Sequence, residues 1–339
     1  FSAPVRLELD QDPAALGLLL AHDSDGFARW EAGQRFATRQ LLAAIRATMS
    51  AGPGALEPVA SPLFITAFQG LLLRADEDPA FTAEAMTIPG LAVLADQLDA
   101  VNVDIIHTVR ERFLDELLAA LEPMLLAVYE RHHAPSDQRD AVSVGRRALA
   151  NRALGFLARG SDGPELFRAH LRSARNMTDE LQALTLAVEH DVDPELAAAL
   201  VGFHARWRTD PLVLNKWFSV QAMASRFETP ERVRTLLEHP DFSLRNPNRV
   251  RALIAAFATG NPLRFHRADG AGYRLLADAV LQLDRINPQV AARILLPLTR
   301  WRRHTGDRPQ LMRRQLERIE KAPMLSKDVA EVASKGLAE

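Results

Sequence analysis

The chain has 339 residues, 47% of them hydrophobic and 25% charged, with a formal net charge of −2, which is ordinary for a folded chain of two or three compact domains or one elongated array. That charge balance argues against nucleic-acid partners and against a polybasic membrane binder. The absence of cysteine excludes disulfides, thiolate metal sites and cysteine nucleophiles. No apolar run reaches the length of a membrane span, and a cytoplasmic location is expected. Of the 41 basic residues only Lys216, Lys321, Lys327 and Lys335 are lysine, a bias that reads as genome composition.

Val5-Arg6-Leu7-Glu8-Leu9 alternates apolar and polar side chains, as a half-buried strand does. A single strand cannot make a sheet, so its partners are expected in sequence outside this chain. Phe1 to Leu9 lacks the basic region and apolar core of a signal peptide, and the chain reads as part of something larger.

From Asp25 the pattern is helical almost to the end. Phe27, Trp30, Phe36, Leu41 and Leu42 fall near one face of a helix that Ser50-Ala51-Gly52-Pro53-Gly54 stops. Pro62–Leu73 is a second helix, and Asp78-Pro79 and Ile88-Pro89-Gly90 punctuate two short ones. In Asp104–Arg131 an i+4 series of Ile105, Val109, Phe113, Leu117, Leu121 and Leu125 marks a long amphipathic helix, with Pro123 expected to kink it. Further helices are predicted over Gln138–Ala158, Pro164–Ala174, Thr178–His190, Pro194–Trp207, Pro211–Ser225, Pro230–Leu237, Pro247–Ala258, Tyr273–Ile286, Pro288–Arg303, Arg308–Lys321 and Ser326–Leu337. Many open on Asp-Pro, Asn-Pro, Thr-Pro or Gly-Pro, and the connections are short, which favours antiparallel neighbours.

One phrase occurs twice. Asn246-Pro247-Asn248-Arg249-Val250-Arg251 and Asn287-Pro288-Gln289-Val290-Ala291-Ala292-Arg293 each set an Asn cap before a Pro at the first helical position. Their offset of 41 residues falls in the range of about 40–47 residues for HEAT-like or armadillo-like helix pairs. The fold class expected is all-α: an α-solenoid superhelix of paired antiparallel helices, residues 13–339, preceded by the end of a β-sandwich in residues 1–12. An irregular all-α domain is the other reading of the same pattern.

Self-sufficient catalytic motifs are absent. None of the ten histidines is followed by Glu, so the His-Glu-x-x-His of helical zinc hydrolases does not occur. His107 with Glu111, His133 with Asp137, and the pair His132-His133 each lack a third ligand at convincing spacing, and no metal site is expected. Neither a Gly-x-Ser-x-Gly elbow nor a phosphate-binding glycine loop is present; Asp269-Gly270-Ala271-Gly272-Tyr273 lacks a preceding strand and reads as a loop. What remains are polar residues beside apolar helix faces. Arg251 borders the Val250, Leu253, Ile254, Phe257 face, and Arg293 borders the Val290, Ile294, Leu298, Trp301 face. Pattern alone favours boundary arginines whose stems cover core and whose heads reach solvent. Pro297 lacks the N–H that would bond the Arg293 carbonyl, so a locally opened backbone is expected there.

The segments NPNRVRALIAAFATGNPLRFHRADGAGY and INPQVAARILLPLTRWRR resemble the end of bacterial aminopeptidase N, a zinc metallo-aminopeptidase of the gluzincin type. FSAPVRLEL resembles the last strand of that family's β-sandwich, and HDSDGFARWEAGQR and DPLVLNKWFSVQA resemble its following helical segments. The resemblance spans essentially the whole chain. It implies a C-terminal helical domain that covers the active-site cavity of the chain's own catalytic domain, limits access, and holds the C-terminal side of short peptides. The positions matching cavity residues are Arg251, Gln289 and Arg293. The family's one zinc ion, its His-Glu-x-x-His with downstream Glu, its Gly-Ala-Met-Glu-Asn motif and its tyrosine have no counterpart here, and Tyr129 and Tyr273 match none of them. The parent is thus expected to be a peptide hydrolase and this chain, by itself, inactive and without a cofactor. A free-standing helical-repeat adaptor is the alternative.

Overall fold

The computed structural model describes residues 11–52, 57–190 and 194–338. Within them the protein is all-α, and the only extended pairing is an isolated parallel bridge between Val101 and His304. The strand expected over Val5–Leu9 lies outside the described residues. No helix among the described residues is long and apolar enough to cross a membrane.

The helix starts follow from capping chemistry. Asp12, Ser61, Asp78, Asp210, Asn246, Asn261 and Asn287 each accept a backbone N–H of the first turn through the side chain, and each is followed by proline. Proline there gives up an N–H that has no intrahelical partner, and its fixed φ suits the first helical position. Pro62–Leu73 has the bounds read from sequence, and the others agree to within a few residues at each end.

Three departures are physical. Pro13–His22 is a helix that sequence reading passed over: PAALGLLLAH has apolar residues all round, so no 3.6-residue periodicity betrays it. The predicted Pro247–Ala258 helix is interrupted: Pro247–Val250 is α, Arg251–Ala255 is a π-turn, and Ala256–Gly260 is α again. Ser219 Oγ donates to the Ala252 carbonyl at 2.8 Å, giving the widened turn a side-chain donor. The predicted Pro288–Arg303 helix ends at Thr299 and continues as a 3₁₀ turn, Trp301–Arg303, two residues beyond Pro297.

The chain forms two compact units. The first comprises residues 1–89 and 109–163 and is built on phenylalanines: Phe64 meets Phe36 and Phe113 with ring centroids 5.2 Å apart in each case, and Phe68 meets Phe156 at 5.9 Å. Val109, Phe113, Leu117, Leu121 and Leu125 of the Val103–His132 helix are all buried, as their i+4 spacing requires.

The second unit comprises residues 90–108 and 164–339. One continuous core runs through it, from Leu184 and Phe203 through Trp217, Phe218, Leu253, Phe257 and Tyr273 to Leu298, Leu316 and Val329. The helices opened by the two Asn-Pro phrases both belong to this unit. Gly272 permits a close approach within it: a Cβ there would stand 2.8 Å from the Phe265 Cα and closer still to its carbonyl.

Candidate functional site

The second unit contains a cavity of about 330 Å³. Both Asn-Pro helices line it, through Ala258 and Thr259 from the first and Arg293, Leu296 and Pro297 from the second. Leu91, Ala92, Val101, Val103 and Ile106 make much of the remaining wall apolar. The 3₁₀ turn ends at His304, which also faces the cavity, and the Val101–His304 bridge fixes that corner: the Val101 N–H donates to the Arg303 carbonyl at 2.6 Å and the Thr305 N–H to the Val101 carbonyl at 3.1 Å.

Three arginines reach this cavity, in different states. Arg300 and Arg303 each place a guanidinium nitrogen 3.2 Å from Asp96 Oδ1, and Arg303 also donates to the carbonyls of Ala95 and Leu98. Those two cations share one carboxylate, which leaves the trio with a net positive charge, and Arg303 is tied to backbone as well. Arg293 has no hydrogen bond or ion pair to any described residue. It is the cavity's uncommitted donor fork, beside an apolar wall.

Two imidazoles, His266 and His304, also line the cavity. His266 Nδ1 is 3.0 Å from the Tyr273 hydroxyl, and the His266 and His304 rings lie 4.0 Å apart. Burial, then the neighbouring His304 and Arg308, hold His266 well below the ordinary histidine range. Burial, then Arg308 and Arg303, lower His304 to about 4. Burial likewise raises the Tyr273 phenol. Arg308 is itself fixed, donating to the His266 carbonyl and to Asp104 at 2.7 Å each. The cavity therefore sets an apolar wall beside a guanidinium, Arg293, that has no partner among the described residues, an arrangement suited to an amphipathic carboxylate.

The residues singled out from sequence are placed as follows. Arg293 is exposed and in the cavity wall. Arg251 and Gln289 are exposed and outside that wall; Arg251 donates to Asn248 Oδ1 at 3.0 Å. The arginine of the repeated phrase that turns inward is Arg249, which donates to the carbonyls of Asp241 and Pro211 and to Asn215 Oδ1, its guanidinium 5.7 Å from the Phe218 ring centre. Sequence reading did not find His266, His304 or Asp96, because no local spacing joins them. The His-Glu-x-x-His of helical zinc hydrolases does not occur in this sequence. Elsewhere in this unit His204, His239 and Asp241 converge, a grouping that no sequence spacing announced.

An all-α unit of successively packed, proline-started helices defines a helical-repeat domain. The family described as "Domain of unknown function (DUF3458_C) ARM repeats" matches residues 13–338, and the chain belongs to that family. It is 39% identical over 340 residues to Aminopeptidase N of Caulobacter vibrioides, covering 99% of this chain and 38% of that protein. Aminopeptidase N of Escherichia coli is 36% identical over 341 residues, covering 100% of this chain and 38% of the relative. A crystal structure of Legionella pneumophila aminopeptidase A in complex with aspartic acid superposes with a TM-score of 0.85 at 29% identity, over 99% of this chain and 40% of that one. The resemblance read from the sequence is borne out along the whole chain, which spans less than two fifths of the length of these curated relatives.

Proposed function

We propose that this chain is the C-terminal helical domain, residues 13–339, of a zinc-dependent aminopeptidase, with residues 1–12 the end of a preceding β-sandwich. The observation that carries the reading is the match of nearly the entire chain to part of Aminopeptidase N from separate organisms, in a sequence lacking the His-Glu-x-x-His that such chemistry uses. In this reading zinc and the hydrolytic residues belong to the rest of the parent, a cytoplasmic enzyme. This domain forms a superhelix over the active-site cavity, limits it to short peptides, and holds the peptide's far end.

Arg293 supplies the main carboxylate contact, with Arg251 and Gln289 as further polar contacts to the peptide's C-terminal side. The support for Arg293 is its unpaired guanidinium at the edge of an apolar cavity. A charge-assisted contact of this kind is worth about 1.5–3 kcal/mol, roughly a tenfold to hundredfold change in affinity.

Two experiments test the proposal. The isolated chain, with added zinc, is expected to show no turnover of an aminoacyl fluorogenic substrate; genuine turnover overturns the assignment. In the intact parent, Arg293→Ala is expected to raise KM for di- and tripeptides while leaving aminoacyl amides that lack a carboxylate little changed. Equal effects on both substrate types would make Arg293 structural.

A further inference from the structure

His204 lies in the last turn of the Pro194–Trp207 helix, and His239 and Asp241 lie on the turn that follows the Thr229–Leu237 helix. His204 lies 37 residues from Asp241 in the chain, yet the three residues bring one ligand atom each to within 4.8 Å of one another. His204 Nε2 is 2.7 Å from Asp241 Oδ2. The Asp241 backbone N–H donates to His239 Nδ1 at 3.2 Å, which favours the tautomer with its proton on Nε2; an ion taking Nδ1 would displace that long N–H bond. Packing fixes both rings: His204 is 4.8 Å and His239 5.2 Å from the Trp217 ring, and Phe218 stands 5.8 Å from His239. All three residues are half-buried, so the group is held in place yet open to solvent ions.

We propose that His204, His239 and Asp241 form a binding site for a borderline divalent metal ion, with zinc the best match in chemistry. Two imidazoles and one carboxylate are the donors that zinc accepts, with water completing the shell, whereas calcium and magnesium take oxygen donors. At zinc–ligand distances of about 2.0–2.2 Å, tetrahedral donors stand about 3.3–3.6 Å apart. The His204–Asp241 hydrogen bond, at 2.7 Å, must open by about 0.6–0.9 Å to admit the ion, and the widest separation closes with side-chain movements of about 1 Å. The nearby cations do not block the site. Arg208 approaches Asp241 Oδ1 only to 3.9 Å with a side chain 60% exposed, so it can withdraw into solvent. Arg249 is committed to Pro211, Asn215 and the Asp241 carbonyl, and Arg232 donates to Gln221 Oε1. The ion clamps the end of one helix to the turn after another, so its binding stabilises this unit. The site does not depend on the peptide-binding reading above.

The test uses this chain, stripped with chelator and dialysed, then titrated with Zn²⁺ by calorimetry and with Co²⁺ by visible absorption. One ion per chain is expected, with a ligand-field band from Co²⁺, quenching of tryptophan fluorescence through Trp217, and a higher Tm with zinc. H204Q, H239Q and D241N, each checked for folding by circular dichroism, should weaken binding at least tenfold, while H133Q leaves it unchanged. Should a variant fail to fold, the Co²⁺ spectrum of the unaltered chain decides, because its intensity and position report imidazole and carboxylate donors. Absence of binding at millimolar zinc, or binding that all three substitutions leave intact, overturns the site.

Discussion

The rings of His266 and His304 lie 4.0 Å apart with their planes 32° from parallel, and both line the cavity that Arg293 borders. Two imidazolium ions could not share that space, and both groups are held neutral: His266 well below its usual range and His304 at about 4, chiefly by burial. The sign of the consequence follows from linkage. Above about pH 6.5 the unfolded chain also keeps these groups neutral and they contribute no pH dependence. As pH falls from about 6.5 towards 4, only the unfolded chain takes up their protons, and stability is lost. After allowance for solvent reaching His304, we expect that ring to account for about 2 kcal/mol over this range. Urea unfolding at pH 7.5 and pH 5 checks it: the midpoint should fall in the original chain and fall less in His304→Asn. An identical fall in both would mean that the stacked pair does not govern the titration.

Among the described residues Tyr273 supplies the hydrogen bond to His266 Nδ1, at 3.0 Å, and is itself fully buried. Tyr273→Phe keeps the ring and removes the hydroxyl, leaving a buried nitrogen without its partner. We expect a loss of about 1–2 kcal/mol, read from the urea midpoint. A neutral result would mean that water replaces the phenol.

Gly272 fixes the approach of the Ala271–Asp284 helix to the turn that carries His266. A methyl group there would meet the Phe265 backbone well inside van der Waals contact. Gly272→Ala is therefore expected to destabilise by about 2–3 kcal/mol. By contrast Gly70, within the Pro62–Leu73 helix, has only the Ala21 Cβ at 3.8 Å from an added methyl, and Gly70→Ala should stabilise by about 0.5–1 kcal/mol through helix propensity. Thermal melts of both variants check the contrast; equal signs would remove the packing explanation.

The fold was legible where a local rule sufficed. Asn246 and Asn287 cap helices because an Asx side chain, a following proline and an apolar periodicity are all local signals, and the i+4 series from Val109 to Leu125 is buried as a helical stripe must be. The π-turn at Arg251–Ala255 was not legible, since its side-chain donor, Ser219, sits on another helix. Of the cavity, Arg293 was readable as a polar residue on the margin of a face. The histidine pair was not: His266 and His304 meet only through tertiary packing, and their lowered pKa values are a property of the burial. The same holds for the meeting of His204 with His239 and Asp241. Long-range convergence leaves no spacing in a single sequence.

The repeated Asn-Pro phrase offers a sharp comparison, because Arg249 and Arg251 stand two residues apart with opposite fates. Arg249 is buried, with its guanidinium donating to Pro211, Asn215 and Asp241 from a helix start to two other segments. Its removal leaves those acceptors without their donor, and Arg249→Met is expected to destabilise by about 2–4 kcal/mol in urea unfolding. Arg251 is exposed and, among the described residues, makes one hydrogen bond, to a residue of its own turn. Arg251→Ala and Arg293→Ala should each change stability by no more than about 0.5 kcal/mol. An arginine that contributes to peptide binding must be removable without unfolding the domain, so these two substitutions can affect KM only through the site. A destabilisation by Arg251→Ala as large as that of Arg249→Met would assign both arginines to the core and leave Arg293 as the only candidate of the pair for the peptide carboxylate.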